Sequence, residues 1–271
     1  MPPRRWLYDE LREAVPEQYA RVAVAVDSLL DADFDRPTRL GDWRVSALVA
    51  HLAGNLGYLL EGLAAPAPAD GPAAQVRPAA PGDLVHVDDL AGRSRIAALA
   101  EKRAAGCPPA ELRDRLRNAL EATTCALDAE LDRVVVIEER GPILLSDYLV
   151  TRCTEGVVHG LDLAAATGVS VEPEPRALRA VVRLLADRLV ERAPGRSVEV
   201  RIPGPAGCAV QCVDGPRHTR GTPGSVVEIR DAVSWVELAT GRLEWAAAVA
   251  DGRVTASGER ADLTPYLPVL S

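Results

Sequence analysis

A glutamate and a histidine four residues apart, Glu155 and His159, lie in the otherwise small and apolar stretch RCTEGVVHGLDLAAATG. On an α-helix this spacing places both side chains on one face, with their Cβ atoms roughly 5–6 Å apart. A carboxylate oxygen and an imidazole nitrogen placed in this way can bind one metal ion, and a buried charge needs such a partner. A plain hydrogen-bonded pair has the same spacing, so the spacing alone leaves both interpretations open.

A third candidate ligand, His51, lies among apolar residues in ALVAHLAGN, on a separate predicted helix. Helix bundles build metal sites from inward-facing side chains on facing helices, so His51, Glu155 and His159 form a candidate ligand set. Three such ligands would leave a zinc ion one open position for water or substrate. The pattern is not HExxH, because no glutamate adjoins either histidine to act as a base. Histidine and carboxylate also suit iron, nickel or manganese.

Two charged residues lie one turn to either side of the Glu155–His159 pair. Asp162 either accepts the second ring N–H of His159, and so orients the ring, or forms a cap or ion pair at the helix end. Arg152 shares a face with Glu155 and is a candidate for holding a substrate carboxylate through two hydrogen bonds. A surface salt bridge is the alternative for this arginine.

Asn55 and Tyr58 follow His51 by four and seven residues, which places all three on one face of their helix. We assign Asn55 and Tyr58 as candidate cofactor-binding residues, with core packing or interhelix hydrogen bonding as the alternative. The other two histidines, His86 in a loop and His218 in the turn PRHTR, are expected to be solvated.

Helices dominate the first part of the chain, where apolar residues recur at helical spacing. The proline-rich stretch 64–82 is expected to be a long loop, VVVIEERGPILL a short hairpin, and Gly168 the stop signal after the ligand-bearing helix. The predicted helices span about 8–30, 44–63, 87–103, 110–131 and 146–167.

The character of the sequence changes after GVSVEPEPR, near residues 170–175. A helix over 177–192 precedes three predicted strands, SVEVRIP, CAVQCV and SVVEIR, and a short helix that ends at Gly241. The stretch WAAAVADGRVTASGERADL predicts a strand, a glycine turn and a second strand, and the tail from Leu263 predicts a helix. Strands gathered with a few helices indicate an α+β domain of about one hundred residues.

Composition narrows the class of protein. The 271 residues are 48% hydrophobic and carry a net charge of −8, with no basic stripe, so nucleic acid is not the expected partner. No apolar run reaches the roughly 18 residues of a membrane span, and the N-terminus lacks a signal-peptide pattern, so we expect a cytoplasmic protein. Five cysteines without a CxxC pair are expected to be free thiols, Cys208 and Cys212 included.

Two stretches carry a family resemblance. RPTRLGDWRVSALVAHLAGN and SDYLVTRCTEGVVHGLDLAAATG resemble the two motifs of the mycothiol-dependent maleylpyruvate isomerase family that supply its zinc ligands. The resemblance implies the same three ligands, His51, Glu155 and His159. It also implies an α+β protein with a DinB-like four-helix bundle over residues 1–172. DAVSWVELATGRLEWAAAVADGRVTASGERADL resembles a sterol carrier module, which implies a second, sterol-carrier-like domain over residues 173–271.

The resemblance implies an enzyme in which zinc activates mycothiol, the small thiol of actinobacteria, against an electrophilic small molecule. The reaction would be a cis–trans isomerisation of the maleylpyruvate type or an S-transfer. Arg152 and Arg242 are the candidate catalytic residues that would hold anionic substrate groups, Arg242 because the second domain could close over the bundle. The alternatives are a metal-dependent hydrolase on the same bundle and a non-catalytic protein that binds a lipid or another small molecule.

Overall fold

The computed structural model describes residues 6–65, 90–137, 141–222 and 224–270. These residues divide into two compact units, with the division after Ala177. The first unit is mainly helical and the second combines helices with a sheet, so the chain has the predicted α+β class. The proline-rich stretch 66–82, His86 and residues 138–140 lie outside the described residues, and the Gly-Pro pair at which the sequence predicts the hairpin turn lies within a strand, Gly141–Leu144.

Five helices form most of the first unit. They are α1, Tyr8–Ser28; α2, Val45–Ala64; α3, Leu90–Ala104; α4, Pro109–Ala129; and α5, Leu145–Thr167. Helices α1, α2, α4 and α5 form the four-helix bundle, in which α2 contacts α4 and α5, and α1 contacts the same two helices. Helix α3 packs on α2.

Helix α1 shows why the bundle forms. Its buried side chains recur every three or four residues, so they make one apolar stripe. Burial of a large aliphatic side chain contributes about 1.5–3 kcal/mol, and this stripe therefore dominates the attachment of the helix. The fully or almost fully buried members are Leu11, Val15, Tyr19, Val22 and Val26.

Close packing fixes the position of α5 against α1. A Cβ atom at Gly156 would lie 2.8 Å from the Cγ atom of Gln18 and 3.0 Å from a ring carbon of Tyr19. Gln18 in turn donates a hydrogen bond to the carbonyl of Gly156 at 3.1 Å. The absence of a side chain at Gly156 therefore lets the two helices approach closely, and this sets the depth at which α5 presents its polar residues.

A hairpin leads directly into α5. Strands β1, Val134–Ile137, and β2, Gly141–Leu144, pair antiparallel, as the sequence predicts. Asp132 accepts a hydrogen bond from the backbone N–H of Ser146 in the first turn of α5. The helix ends at Gly168, whose φ of +80° is the left-handed conformation that glycine adopts readily, and this stop signal is also as predicted.

The second unit contains a four-stranded sheet in the order β4-β3-β5-β6. Strand β3 is parallel to β5, and the other neighbouring pairs are antiparallel. The strands are β3, Val198–Ile202; β4, Cys208–Cys212; β5, Ser225–Ile229; and β6, Val254–Ser257. The helices are α6, Pro175–Arg192, whose first residues belong to the first unit; α7, Ala232–Ala239; and α8, Trp245–Ala250.

Two sequence predictions in this unit are wrong. The run WAAAVA forms helix α8 rather than a strand, because alanine has the highest helix propensity and the run is too short for its periodicity to decide. The predicted helical tail is only a single turn, Thr264–Tyr266. Pro265 and Pro268 lack backbone N–H groups, so a longer helix cannot form there.

Among the described residues, no helix has the length and apolar character needed to cross a membrane. None of the five cysteines, all of which lie in the described residues, forms a disulfide, as predicted, and Cys208 and Cys212 are buried in β4.

Candidate metal centre

The three predicted ligands meet between helices α2 and α5. One side-chain donor atom each from His51, Glu155 and His159 lies within 4.8 Å of the other two, and among the described residues this is the one such group of metal-ligand side chains. The Nε2 atoms of His51 and His159 lie 2.9 Å and 3.2 Å from the same oxygen, Oε2 of Glu155. In a tetrahedral zinc site with bonds of about 2.0–2.1 Å the ligand atoms are about 3.3 Å apart. The donor set and its spacing therefore fit a metal ion.

Asn55 adds a third donor to the same oxygen. Its Nδ2 atom lies 3.0 Å from Oε2 of Glu155 and 3.1 Å from Nε2 of His51. Its Oδ1 atom accepts a hydrogen bond from Arg152 at 3.0 Å, which fixes the amide with its NH2 group toward the ligands. Asn55 thus contacts the ligands themselves.

Arg152 is buried and surrounded by partners. It also donates to the carbonyl of Asn55 at 3.3 Å and to the hydroxyl of Thr151 at 3.2 Å, and it lies over the Tyr148 ring at 4.6 Å. These contacts make Arg152 a support for Asn55. The binding of a substrate carboxylate by Arg152 stays a prediction.

Asp162 orients the ring of His159. Its Oδ2 atom lies 2.8 Å from Nδ1 of His159, and its Oδ1 atom accepts a hydrogen bond from Arg39 at 2.6 Å. Asp162 is fully buried, and Arg39 supplies its compensating charge. Both functions considered for Asp162, ring orientation and ion pairing, therefore occur together. With Nδ1 bonded to a carboxylate, Nε2 of His159 is the nitrogen left for a metal ion.

Trp43 closes one side of the site. Its ring lies 5.0 Å from the ring of His51 and 6.3 Å from that of His159, measured between centroids. The exposed fractions of the ligand side chains rise from 10% for His51 and 14% for His159 to 31% for Glu155. Glu155 is therefore the most exposed of the three candidate ligands.

The charges within the cluster are strongly coupled. Burial would raise the pKa of Glu155, but its hydrogen bonds to His159 and His51 outweigh burial and hold that pKa well below its ordinary value. Burial would lower the pKa of His159, but hydrogen bonds to Asp162 and Glu155 raise it to about 9. Burial lowers the pKa of His51 despite its bond to Glu155. Glu155 is therefore an anion, as a metal ligand must be.

The remaining sequence candidates lie elsewhere. Tyr58 is half-buried on α2, where its ring packs under the guanidinium of Arg103, so cofactor binding by Tyr58 stays a prediction. Arg242 lies in the second unit and donates a hydrogen bond to the carbonyl of Thr240 at 2.8 Å, and its catalytic role also stays a prediction. His218 is half-buried rather than fully solvated.

Two neighbours of the ligands, Arg39 and Trp43, were missed by the sequence reasoning. Both lie in the loop before α2, within the motif RPTRLGDW. A signal was present, since a charged residue and a tryptophan stand close before the helix that carries His51. The loop conformation that brings them to the ligands depends on tertiary packing, which the spacing does not encode.

Comparison with known families agrees with this geometry. The profile described as "Mycothiol maleylpyruvate isomerase N-terminal domain" matches residues 15–164, more than half of the chain. The chain belongs to this family. The family predicted from the sequence is therefore confirmed, and it is a family of enzymes. Residues 174–269 match a second profile, "Bacterial SCP ortholog".

Solved structures show the same fold over nearly the whole chain. A crystal structure of the mycothiol-dependent maleylpyruvate isomerase matches with a TM-score of 0.60 and 16% identity, and covers 93% of both chains. A histidine-to-alanine variant of the mycothiol-dependent maleylpyruvate isomerase matches with a TM-score of 0.62 and the same identity and coverage. A search of curated proteins gives no significant match.

Proposed function

We propose that this protein is a zinc- and mycothiol-dependent enzyme in which a thiolate adds to an electrophilic small molecule. The observation that carries the proposal is the convergence of His51, Glu155 and His159 on one point, with Asp162 behind His159. The family and the isomerases of similar fold support the choice of thiol and reaction.

His51, Glu155 and His159 would hold the metal. A zinc ion bound there would lower the pKa of a thiol ligand, so that thiolate is present near neutral pH. Zinc is proposed on the donor types, which iron, nickel or manganese also accept.

The other residues of the site hold these three ligands in place. Asp162 accepts a hydrogen bond from Nδ1 of His159, and Arg39 donates a hydrogen bond to Asp162. Asn55 donates to the Glu155 carboxylate, and Trp43 excludes water from the opposite side of the rings.

The thiol must come from outside the chain. No cysteine sulfur belongs to the ligand group, and burial raises the pKa of Cys153, the cysteine nearest to Glu155 in sequence. In the isomerase reaction the thiolate adds to one carbon of a cis double bond, the resulting single bond rotates, and loss of the thiolate restores the double bond in the trans form. In the transferase reaction the thiolate replaces a leaving group. A maleylpyruvate-type isomerisation is our first choice, on the family evidence.

Metal analysis of the purified protein tests the proposal. We expect about one zinc per chain in the parent protein and none in His51→Ala or His159→Ala. Thiol-dependent isomerisation of maleylpyruvate by the parent, absent in both variants, would complete the case. A parent protein that binds no metal even when zinc is supplied would overturn the proposal.

Two other functions remain to be separated from this one by the same assays. A hydrolase on this bundle would act without thiol. A non-catalytic carrier would copurify with an apolar ligand, and an open apolar groove of about 440 Å3 in the second unit, lined by Leu178 and residues 203–206 and 230–233, is where it would be sought. Turnover that requires thiol would exclude both.

We further propose that residues 1–172 form the catalytic domain and residues 173–271 a separate domain. We also propose that the protein is cytoplasmic and actinobacterial. The two compact units, which divide after Ala177, support the boundary. Arg242 remains our candidate for a second contact to an anionic substrate. Limited proteolysis tests the boundary, and an unchanged KM in Arg242→Gln would remove Arg242 from the site.

A further inference from the structure

A glycine in the middle of α2 makes room for an arginine from α3. A Cβ atom at Gly54 would lie 2.2 Å from Nη1 of Arg103 and 3.1 Å from its Cζ atom. The guanidinium therefore occupies the space that any other residue at position 54 would fill. Glycine in a helix interior costs about 0.5–1 kcal/mol relative to alanine, so this position gives up helix stability where the arginine lies.

An aromatic ring supports the same guanidinium from a second side. The Cζ atom of Arg103 lies 5.0 Å from the centre of the Tyr58 ring, within the range of a cation–π contact. Gly54 and Tyr58 together hold the guanidinium against α2. A guanidinium that is already positioned loses little side-chain freedom when it binds a ligand.

The charge of Arg103 has no acidic partner in the part of the chain that the structure describes. The side chains of Arg115 and Cys107 donate hydrogen bonds to the backbone carbonyl of Arg103, not to its guanidinium. Arg39 and Arg152, in contrast, are bonded to Asp162 and Asn55. Arg103 thus has the fork of N–H donors that a carboxylate needs for two parallel hydrogen bonds.

Arg103 contacts α2 one helical turn from His51 of the candidate metal centre. His51, Asn55 and Tyr58 share one face of α2, and Gly54 is one turn beyond His51, which corresponds to about 5 Å along the helix. Asn55, the neighbour of Gly54, bonds to both His51 and Glu155. An anionic group bound by Arg103 would therefore lie within reach of a reacting atom at the metal centre.

We propose that Arg103, seated on Gly54 and Tyr58, binds a carboxylate of the substrate. The inference rests on the proposed function for the identity of the reacting centre. It gives the substrate-binding role to an arginine without an acidic partner among the described residues, whereas the Arg152 guanidinium is already bonded to Asn55 and Thr151.

Calorimetric titration of the zinc-loaded protein with maleate, without any thiol, tests the proposal. Maleate has the carboxylates of the proposed substrate class, and in the absence of thiol it binds without reacting. We expect Arg103→Gln to weaken maleate binding roughly 10- to 100-fold, the usual loss for a charge-assisted hydrogen-bonded contact. The maleate affinity of Arg103→Lys should lie between those of the parent and Arg103→Gln, because an ammonium group keeps the charge but cannot form two parallel hydrogen bonds.

Arg95→Gln is the matched control, since it removes the same charge from an exposed position on α3. It should leave maleate affinity unchanged. Gly54→Ala approaches the same question from the other helix, because the added methyl group would displace the guanidinium. We expect it to weaken maleate binding while the zinc content stays at the parent level, which shows that the fold is intact.

Parent-like maleate affinity in Arg103→Gln, or no maleate binding by the parent at millimolar concentration, would overturn the proposal. Its failure is separable from failure of the proposed function. Failure of the proposed function appears as missing zinc or missing thiol-dependent turnover in the parent protein. Failure of the Arg103 proposal appears as unchanged maleate affinity in a variant that binds zinc normally. A titration of the metal-free protein, repeated with Arg103→Gln, isolates the contribution of the arginine from that of the metal.

Discussion

The bundle and the C-terminal unit treat their buried polar side chains differently. In the C-terminal unit the buried hydroxyls bond to backbone carbonyls: the hydroxyl of Ser197 lies 2.8 Å from the carbonyl oxygen of Val213 and 3.0 Å from that of Asp214, and the hydroxyl of Thr240 donates to the carbonyl of Val236 at 2.7 Å. In the bundle, donors from two helices converge on one oxygen of Glu155.

We interpret this difference as one between polar groups that stabilise the fold and polar groups that would bind a ligand. A single satisfied hydrogen bond contributes about 1 kcal/mol to stability, which is what a structural serine or threonine supplies. When ionisable groups gather around one atom, each of them loses its contact with water. Such a cluster therefore contributes less to the stability of the fold than the same number of separate hydrogen bonds would. Such a local conflict with stability is typical of a functional site.

The largest expected effect comes from the atom on which the donors converge. Glu155→Gln keeps the shape of the side chain but removes the anionic oxygen, and we expect the zinc affinity to fall by more than about 100-fold, beyond the loss usual for residues behind the ligands. Competition with a chromophoric chelator measures the affinity. Glu199→Gln is the control: this buried carboxylate accepts a bond from the N–H of Gly221 in the C-terminal unit, and its loss should leave zinc affinity unchanged.

A smaller loss is expected one bond further from the metal centre. Asp162→Asn leaves the ring of His159 without its anionic partner, so zinc affinity should fall roughly 10- to 100-fold. The same chelator assay applies, and Asp231→Asn in the C-terminal unit provides the comparison. Parent-like affinity in Asp162→Asn would mean that packing alone orients the His159 ring.

A change in helix packing should affect stability more than chemistry. The methyl group of Gly156→Ala would meet Gln18 and Tyr19 at 2.8–3.0 Å, and we expect a loss of about 1–3 kcal/mol in the free energy of unfolding. Urea denaturation measures it. Gly57→Ala on α2 meets nothing within 4 Å and should instead stabilise the protein by about 0.5–1 kcal/mol. Equal effects of the two substitutions would refute the close-packing explanation.

The smallest effect concerns the single bond that begins α7. Asp231 accepts a hydrogen bond from the backbone N–H of Ser234 at 2.7 Å, and Asp231→Ala should cost about 1 kcal/mol at neutral pH. Burial would raise the pKa of Asp231, but the Ser234 bond and Arg230 outweigh it and lower that pKa.

The pH dependence of this effect follows from the lowered pKa. The stabilisation is complete above the ordinary aspartate pKa of about 3.9 and disappears as the pH falls through the lower folded-state value. Unfolding measured between pH 7 and strongly acidic conditions should show the parent and Asp231→Ala converging at the acidic end. A difference that persists there would show that the bond does not depend on the carboxylate charge.

The cluster of His51, Glu155 and His159 could be predicted because its signal in the sequence is local. Glu155 and His159 are one turn apart on a helix, and His51 is a polar residue in an apolar helix. Arg39 could not be predicted, because its contact with Asp162 spans 123 positions and depends on the conformation of a loop.

The secondary structure was predictable where the pattern was long. The helices near the ligands and the strands of the C-terminal sheet follow from their periodicity and their turn residues. The short run WAAAVA was not predictable in this way, because six consecutive apolar residues fit a strand or a helix equally well. Its alanine content, rather than its hydrophobic pattern, decided the outcome.

The position of Trp43 makes its fluorescence a reporter of the candidate metal centre. The indole is buried against both imidazole rings, so its fluorescence should respond when those rings exchange protons for a metal ion. Trp235 is fully buried in the C-terminal unit and belongs to no candidate metal-ligand group, so its fluorescence serves as an internal reference. A zinc titration followed by emission, with Trp43→Phe to remove the responding part, would read occupancy of the site without any added dye.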